Sequence, residues 1–208
     1  ALGVAAAAPE LAAPLMLSPN APALPHLRPK PSEAELAARF GAITTVVMDV
    51  DGVLTDGYVI TLPAGMGYAR RMQIKDGYAL QHAVKCGYRL CVISGGRPDG
   101  VRERLLGLGL SDEHIFTQVP YKLGVFEDYV ARHGIGLAEV AYIGDDMPDY
   151  EIMARVGLAI APADAADDIR ALAHYVCALG AGAGCVREVL ERLMKAQGRW
   201  YGGECFRW

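Results

Sequence analysis

The sequence lacks long runs of one charge, uninterrupted apolar segments and closely paired cysteines. Twenty Lys and Arg against 24 Asp and Glu give a net charge of −4, which argues against nucleic acid or a membrane surface as partner because both require a basic face. The longest uncharged apolar stretch, residues 171–186, is interrupted by glycines and a histidine and is too short to span a bilayer. Five cysteines without a C-x-x-C pair are typical of a reducing compartment rather than of a disulfide framework or zinc site.

The first 31 residues are poor in charge and rich in two residue types. They contain nine alanines, seven of the twelve prolines and only three charged residues. Because the prolines interrupt any helix before it completes three turns, this composition predicts a flexible extension. We expect one folded domain at residues 32–198, followed by a C-terminal tail at residues 199–208.

Within the folded part, strand-like and helix-like patterns alternate. Continuous apolar or β-branched runs predict strands at residues 44–50, 88–93, 115–119, 139–143, 158–161 and 175–177. Helical patterns lie at residues 32–40, 76–85, 99–108, 122–132, 148–155, 165–173 and 184–196, and residues 58–62 and 68–74 form a plausible hairpin. This alternation predicts an α/β fold in which helices cover both faces of a parallel sheet.

Polar residues follow four of the predicted strands, at the edge where parallel α/β sheets bind ligands. They are Asp49 and Asp51 after the first strand, Ser94 after the second, Lys122 after the third, and Asp145, Asp146 and Asp149 after the fourth. Any one of these acids by itself is typical of a helix or turn cap. Clustered carboxylates, however, repel one another and need a hard cation such as Mg²⁺, and a lysine, a hydroxyl and glycines beside it suit a phosphate.

These segments resemble the four motifs of the haloacid dehalogenase superfamily of phosphotransferases. The segments are D-V-D-G-V-L-T-D-G (49–57), S-G-G (94–96), Lys122 and G-D-D-M-P-D (144–149). The stretches I-K-D-G-Y-A-L-Q (74–81) and G-C-V-R-E-V-L-E-R-L-M-K-A-Q-G-R-W (184–200) are further similar to the 3-deoxy-D-manno-octulosonate 8-phosphate phosphatase branch. That branch includes the phosphatase-like tails of acylneuraminate cytidylyltransferases. The resemblance implies a Rossmann-like fold with a small β-hairpin after the first strand.

The resemblance implies covalent phosphatase chemistry. Asp49 would be the nucleophile that forms an aspartyl-phosphate. Asp51 would protonate the leaving alkoxide and later deprotonate the attacking water. Ser94 would hydrogen-bond a phosphoryl oxygen, and Lys122 would offset the charge of the phosphate and the nucleophile.

The same resemblance implies Mg²⁺ as cofactor. The ion would lie between the Asp49 carboxylate, the backbone carbonyl of Asp51 and Asp145. Asp146 and Asp149 would orient the waters of the metal and Lys122.

Substrate contacts are also expected from the resemblance, which places residues 72–77 over the substrate. The expected substrate-binding residues are Gly52, Lys75, Asp76, Gly95 and Arg104. As an alternative, Arg70, Arg71 and Lys75 form an ordinary solvated face of the hairpin. The second motif, S-G-G-R, departs from the S/T-G-R-K of many relatives, which leaves the direction of Arg97 open.

Motif spacing indicates how the site is covered. Only 45 positions separate Asp49 from Ser94, and 28 separate Ser94 from Lys122, so neither interval holds a separate cap domain. In the family that the sequence resembles, the hairpin helps to assemble a homotetramer and neighbouring subunits complete the site. We therefore expect a tetramer.

The leading hypothesis is a cytoplasmic phosphatase that releases phosphate from 3-deoxy-D-manno-octulosonate 8-phosphate, a step toward the inner sugar of lipopolysaccharide. One alternative is the same chemistry on an acylneuraminate or deaminoneuraminate 9-phosphate. Another alternative, of a different class, is a non-catalytic oligomerisation domain. We expect a small sugar-acid phosphate as ligand and neither nucleic acid nor membrane as partner.

Overall fold

The structure is a computed structural model that describes residues 29–64, 66–98 and 100–207. Residues 1–28 of the predicted flexible extension lie outside the described residues. Where the described chain begins, the Lys30 ammonium donates to the backbone carbonyls of Arg170 and Ala173 at 2.6 and 2.7 Å.

A six-stranded parallel sheet forms the centre of the molecule and confirms the predicted α/β fold. The eight strands are β1 (Thr45–Met48), β2 (Ile60–Thr61), β3 (Tyr68–Ala69), β4 (Arg89–Ile93), β5 (Ile115–Phe116), β6 (Val140–Ile143), β7 (Leu158–Ala161) and β8 (Tyr175–Val176). The strand order is β5-β4-β1-β6-β7-β8, and every neighbouring pair is parallel. The chain proceeds from β1 toward β5 and then returns to β6 on the other side of β1. The order therefore reverses between β1 and β6, which is where such sheets bind ligands.

Helices cover both faces of the sheet. They are α1 (Glu33–Ala42), α2 (Ile74–Lys85), α3 (Val101–Gly107), α4 (Lys122–His133), α5 (Met147–Met153), α6 (Asp167–Leu172) and α7 (Cys185–Ala196). Successive strand residues point to opposite faces, so Val46 packs in one apolar cluster with α1, α2 and α7, while Val47 packs in a second with α4, α5 and α6. Among the described residues, no helix combines the length and the apolar character needed to cross a bilayer.

Several element boundaries differ from the prediction for local reasons. The capping box of α1 forms as predicted, with Ser32 and Glu35 bonding to each other's backbone N–H groups. Strand β5 was predicted at residues 115–119 but ends at Phe116. The reason is that Gln118 has a positive φ of 58° and donates its N–H to the Gly96 carbonyl. Helix α2 begins two residues earlier than predicted, because the Gln73 side chain accepts from the Lys75 N–H.

The predicted hairpin is present but short. Strands β2 and β3 pair over two residues each, and an isolated bridge between Thr55 and Met72 closes the base. Large apolar side chains of the hairpin face outward, with exposures of 77% for Tyr58, 55% for Ile60 and 66% for Met66. The described residues between β1 and β4 contain only this hairpin and α2, in agreement with the absence of a cap domain there.

The C-terminal residues pack back onto the domain. Trp200 is buried among the core residues on the α7 side of the sheet, and the Arg187 guanidinium lies 4.4 Å from the centre of its ring. The Tyr78 hydroxyl donates to the backbone carbonyl of Cys205 in a short 3₁₀ helix, Gly203–Phe206. The first part of the predicted tail is thus anchored by Trp200.

Candidate active site

The chain brings a lysine and three carboxylates together at the carboxyl ends of β1 and β6. Asp49 follows β1 directly, Asp145 follows β6 by two residues, Lys122 begins α4, and Asp149 lies in α5. The Lys122 ammonium lies 2.7 Å from both an Asp49 and an Asp149 oxygen. Asp49, Asp145 and Asp149 each offer a carboxylate oxygen within 4.8 Å of the others. The convergence expected from the four motifs is therefore present.

Burial and like charge together raise the pKa of two of these acids. Burial raises the pKa of Asp49 to about 6, and the charge of Asp149 acts in the same direction against the opposing effect of Lys122. Burial, followed by the charges of Asp149 and Asp49, raises the pKa of Asp145 to about 7. Burial lowers the pKa of Lys122, but the charges of Asp149 and Asp49 outweigh it, so that the net shift is upward. One ammonium thus opposes three carboxylates.

Asp149 is fully engaged with protein groups. One of its oxygens accepts from Lys122 and, at 2.6 Å, from the Tyr142 hydroxyl, while the other accepts from the Asp145 N–H at 3.1 Å. Burial, with the nearby charge of Asp149, raises the pKa of Tyr142 and keeps its hydroxyl a donor. The sequence offered no signal for Tyr142, since a tyrosine within a buried strand is typical of core packing.

The donor set fits Mg²⁺. All the side-chain ligands available are carboxylate oxygens, which hard cations prefer. Gly52 has a φ of +88°, and a Cβ on it would lie 2.0 Å from an Asp145 carboxylate oxygen, so the first motif needs glycine there for Asp145 to approach. A cation between Asp49 and Asp145 would favour their ionised forms against the burial and the like charge that raise their pKa values.

Asp51 lies beside this cluster in a different environment. The Arg70 guanidinium donates to both of its oxygens, from Nε at 2.7 Å and from Nη2 at 3.1 Å, and the Thr55 hydroxyl donates to one of them at 3.3 Å. The Arg70 side chain is only 5% exposed, whereas the Arg71 side chain is 81% exposed and pairs with Asp56. The interpretation of this segment as a solvated face holds for Arg71 and is wrong for Arg70.

The second motif forms the loop after β4. Ser94 is buried, and its hydroxyl accepts from the Gly96 N–H at 3.1 Å. Gly95 and Arg97 are exposed on this loop. The hydroxyl of Ser94 and an Asp51 oxygen both lie within 3.3 Å of the position that a Cβ on Gly96 would take.

The remaining expected substrate residues do not lie together. Arg104 and Arg70 line one cavity of about 340 Å³ between β3 and α3. Lys75 is exposed and lines a separate groove along α7.

Asp76, expected to contact substrate, is buried beside the start of α7. The residue is 1% exposed, and one of its oxygens accepts from the Arg187 N–H at 2.6 Å, at the start of α7. Asp146, expected to orient metal waters, is exposed and caps α5 through the Met147 N–H at 2.8 Å.

Comparisons with known proteins agree with this geometry. Residues 121–188 match the family model for haloacid dehalogenase-like hydrolases. The 3-deoxy-D-manno-octulosonate 8-phosphate phosphatase KdsC of Escherichia coli K12 is 34% identical over 169 residues, which cover 81% of this chain and 88% of that protein.

Two solved structures of such phosphatases have the same fold. That from Yersinia pestis superposes with a TM-score of 0.77 at 32% identity and covers 81% of this chain and 89% of its own. That from Moraxella catarrhalis, in complex with magnesium, phosphate and KDO, gives a TM-score of 0.76 at 33% identity and covers 80% of this chain and 94% of its own. The chain belongs to the 3-deoxy-D-manno-octulosonate 8-phosphate phosphatase family of haloacid dehalogenase-like hydrolases.

Proposed function

We propose that this protein hydrolyses 3-deoxy-D-manno-octulosonate 8-phosphate to the free sugar acid and phosphate. The observation that carries the proposal is the cluster of Asp49, Lys122, Asp145 and Asp149 between β1 and β6, in a chain of this family. A cation-assisted aspartyl-phosphate mechanism brings a nucleophile, a charge-neutralising group and a cation site together around one phosphate.

Asp49 is the proposed nucleophile. One of its oxygens accepts from the Val50 N–H at 2.6 Å and the other faces Lys122, so its orientation is set before substrate binds. An Asp49 oxygen attacks phosphorus as the bond to the sugar oxygen breaks, and Asp51 gives its proton to that oxygen. Asp51 then takes a proton from the water that attacks the aspartyl-phosphate, which releases phosphate and regenerates Asp49.

The other residues hold the phosphate and the metal. Ser94 donates to a phosphoryl oxygen, and Lys122 offsets the charge of the phosphate and Asp49. When bound, Mg²⁺ neutralises the charge on the phosphoryl oxygens. It would be held by Asp49, Asp145 and the backbone carbonyl of Asp51. The full engagement of Asp149 with Lys122, Tyr142 and Asp145 supports an orienting role for that acid rather than direct ligation.

Recognition of the sugar acid is proposed for the loops around this cluster. Gly52 and Gly95 let the backbone approach the phosphate, and Arg104 offers a cation to the carboxylate from the cavity beside β3.

A homotetramer is proposed as the active assembly. The outward apolar side chains of the hairpin, Tyr58, Ile60 and Met66, support it because such a patch in a small domain marks an interaction surface. Light scattering of the active enzyme should give four times the monomer mass, and a fully active monomer would contradict the proposal. The cytoplasmic location stays a prediction.

Turnover of purified sugar phosphates tests the proposal. We expect Mg²⁺-dependent phosphate release from the eight-carbon substrate, and kcat/KM at least about tenfold lower for an acylneuraminate 9-phosphate, on the usual scale for a changed contact. A higher kcat/KM for the nine-carbon ester would favour the alternative substrate.

A matched pair of variants tests the covalent mechanism. Asp49→Asn should abolish activity because an amide does not attack phosphorus, whereas Asp56→Asn, seven residues along the same loop, should retain it. Wild-type protein without phosphatase activity on either substrate would favour a non-catalytic oligomerisation domain.

A further inference from the structure

We infer that Arg70 is a positioning residue that holds the Asp51 carboxylate in the orientation needed for proton transfer. The inference rests on the proposed function in one respect, the assignment of proton transfer to Asp51. The geometry that carries it is independent of any substrate.

Arg70 restrains both oxygens of Asp51 at once. A guanidinium that donates from Nε and Nη2 to the two oxygens of one carboxylate fixes the plane of that carboxylate, which a lysine does not. The Thr55 hydroxyl lies 3.3 Å from an Asp51 oxygen and also 3.3 Å from the Val50 carbonyl oxygen, so its single proton is shared between these two acceptors. Since the Arg70 side chain is 5% exposed, water competes little for these hydrogen bonds.

Gly96 of the second motif makes room for this ion pair. A Cβ at position 96 would lie 2.6 Å from an Asp51 oxygen and 3.0 Å from Arg70 Nη2. The φ of Gly96 lies outside the left-handed region, so the lack of space rather than backbone conformation requires glycine.

Arg70 also connects Asp51 to the neighbouring cavity. Its third nitrogen, Nη1, is buried and has no hydrogen-bond partner among the described residues. Arg70 lines the cavity of about 340 Å³ together with Arg104. A hairpin residue thereby links the proton-transferring carboxylate to the space where an anionic ligand would meet two guanidinium groups.

Leaving groups of different basicity distinguish this role from a general structural one. A sugar alkoxide needs the proton that Asp51 supplies, whereas p-nitrophenolate is stable without one. Departure of the leaving group precedes hydrolysis of the aspartyl-phosphate. The value of kcat/KM therefore depends on the step in which Asp51 acts as an acid and does not depend on the later hydrolysis.

Loss of Arg70 also removes a charge that favours ionised Asp51, so position and charge act on the acid step in opposite directions. If position dominates, a misplaced Asp51 lowers kcat/KM for an alkyl phosphate and spares it for an aryl phosphate. A rise in kcat/KM for the alkyl phosphate would show that Arg70 acts through its charge and would overturn the inference.

The experiment compares Arg70→Met and Arg70→Lys with wild type, and uses Arg71→Met as the matched control on the same hairpin. For Arg70→Met we expect kcat/KM on 3-deoxy-D-manno-octulosonate 8-phosphate and on glycerol 3-phosphate to fall at least about tenfold, a part of the usual general-acid contribution. On p-nitrophenyl phosphate it should change less than about threefold, and Arg70→Lys should behave like Arg70→Met. Arg71→Met should leave all three values unchanged.

A second pair of variants tests the role of Gly96. Gly96→Ala should reproduce the loss on alkyl phosphates, because its methyl group would lie 2.6 Å from an Asp51 oxygen and 3.0 Å from Arg70 Nη2, and less close, at 3.3 Å, to the Ser94 hydroxyl. Gly107→Ala, where a Cβ meets nothing within 4 Å, is the control. Equal losses on alkyl and aryl phosphates in Arg70→Met, or no loss at all, would overturn the inference.

Turnover of the three esters by wild type, together with a double-mutant cycle, separates failure of this inference from failure of the proposed function. If wild type ignores the sugar acid phosphate but cleaves the other two esters, the proposed substrate fails and the leaving-group comparison still decides the role of Arg70. If wild type cleaves no phosphate ester, Asp51 transfers no proton and the inference fails with the proposed function. Tm values of Arg70→Met, Asp51→Asn and the double variant should be non-additive, and additive Tm changes would refute the pairing.

Discussion

The buried carboxylate of Asp76 allows a quantitative prediction. One of its oxygens accepts from the Arg187 N–H at 2.6 Å, while the other is buried without a partner among the described residues. Burial raises the pKa of Asp76 to about 6, against the opposing effect of Arg187. In the unfolded chain the pKa returns to about 3.9. Asp76 therefore stabilises the fold fully only below pH of about 3.9, and this stabilisation is lost as the pH rises through about 6.

Replacing Asp76 with asparagine should remove this pH dependence. Each pKa unit corresponds to about 1.4 kcal/mol, so ionised Asp76 costs about 3 kcal/mol at pH 7.5 and about 1 kcal/mol at pH 4.5. In Asp76→Asn the side-chain amide oxygen still accepts from the Arg187 N–H and keeps the start of α7 capped. The free energy of unfolding of Asp76→Asn minus that of wild type should therefore increase by about 2 kcal/mol between pH 4.5 and pH 7.5.

Urea unfolding at equal protein concentration and at both pH values measures this difference. Any constant cost of the amide cancels between the two conditions, and so do the other titrating groups. Asp128→Asn makes the same change of side chain at an exposed position of α4 and is the matched control. A pH-independent difference for Asp76→Asn itself would show that the carboxylate is not buried as described.

Three further variants test the cluster and the loop beside it. Lys122→Met removes the cationic partner of Asp49 and Asp149 and should cost about 3–5 kcal/mol of stability in urea unfolding. A cost below about 1 kcal/mol would contradict the buried pairing. Asp145→Asn should raise the Tm of metal-free protein by removing a like charge. It should also abolish the stabilisation by Mg²⁺, which for wild type is expected to be about 2.7 kcal/mol at a Mg²⁺ concentration of 100 times Kd; an unchanged response to Mg²⁺ would exclude Asp145 as ligand. Gly182→Ala should lower both kcat and Tm, because a Cβ there would lie 2.5 Å from the Asp56 backbone nitrogen and φ is +59°; wild-type kcat and Tm would contradict that packing.

Local patterns were sufficient to predict the elements of the fold. The run of apolar residues at β1 indicates a strand covered on both sides, and Ser32 with Glu35 indicates the start of α1. Both signals depend on neighbours a few residues apart. The ends of elements were less predictable, as Gln118 shows, because its backbone conformation follows from a contact with Gly96 on another loop.

The active-site carboxylates were also predictable, through the rule that parallel strands end at one edge. This rule does not predict which of two neighbouring residues in the hairpin is buried and which is exposed. Arg70 and Arg71 have the same chemistry, but successive residues of an extended segment face opposite sides. Only the position of the hairpin over the first motif determines that Arg70 meets Asp51 while Arg71 remains exposed.

The sequence by itself determined which chemical groups the site holds and at which strand ends they occur, since periodicity and motif order are properties of neighbouring residues. The tertiary structure alone decided the environment of each group: Asp76 buried beneath α7, Tyr142 bonded to Asp149, and Arg70 paired with Asp51. Burial and pairing arise from segments distant in the chain, and they set the charge and orientation on which catalysis depends.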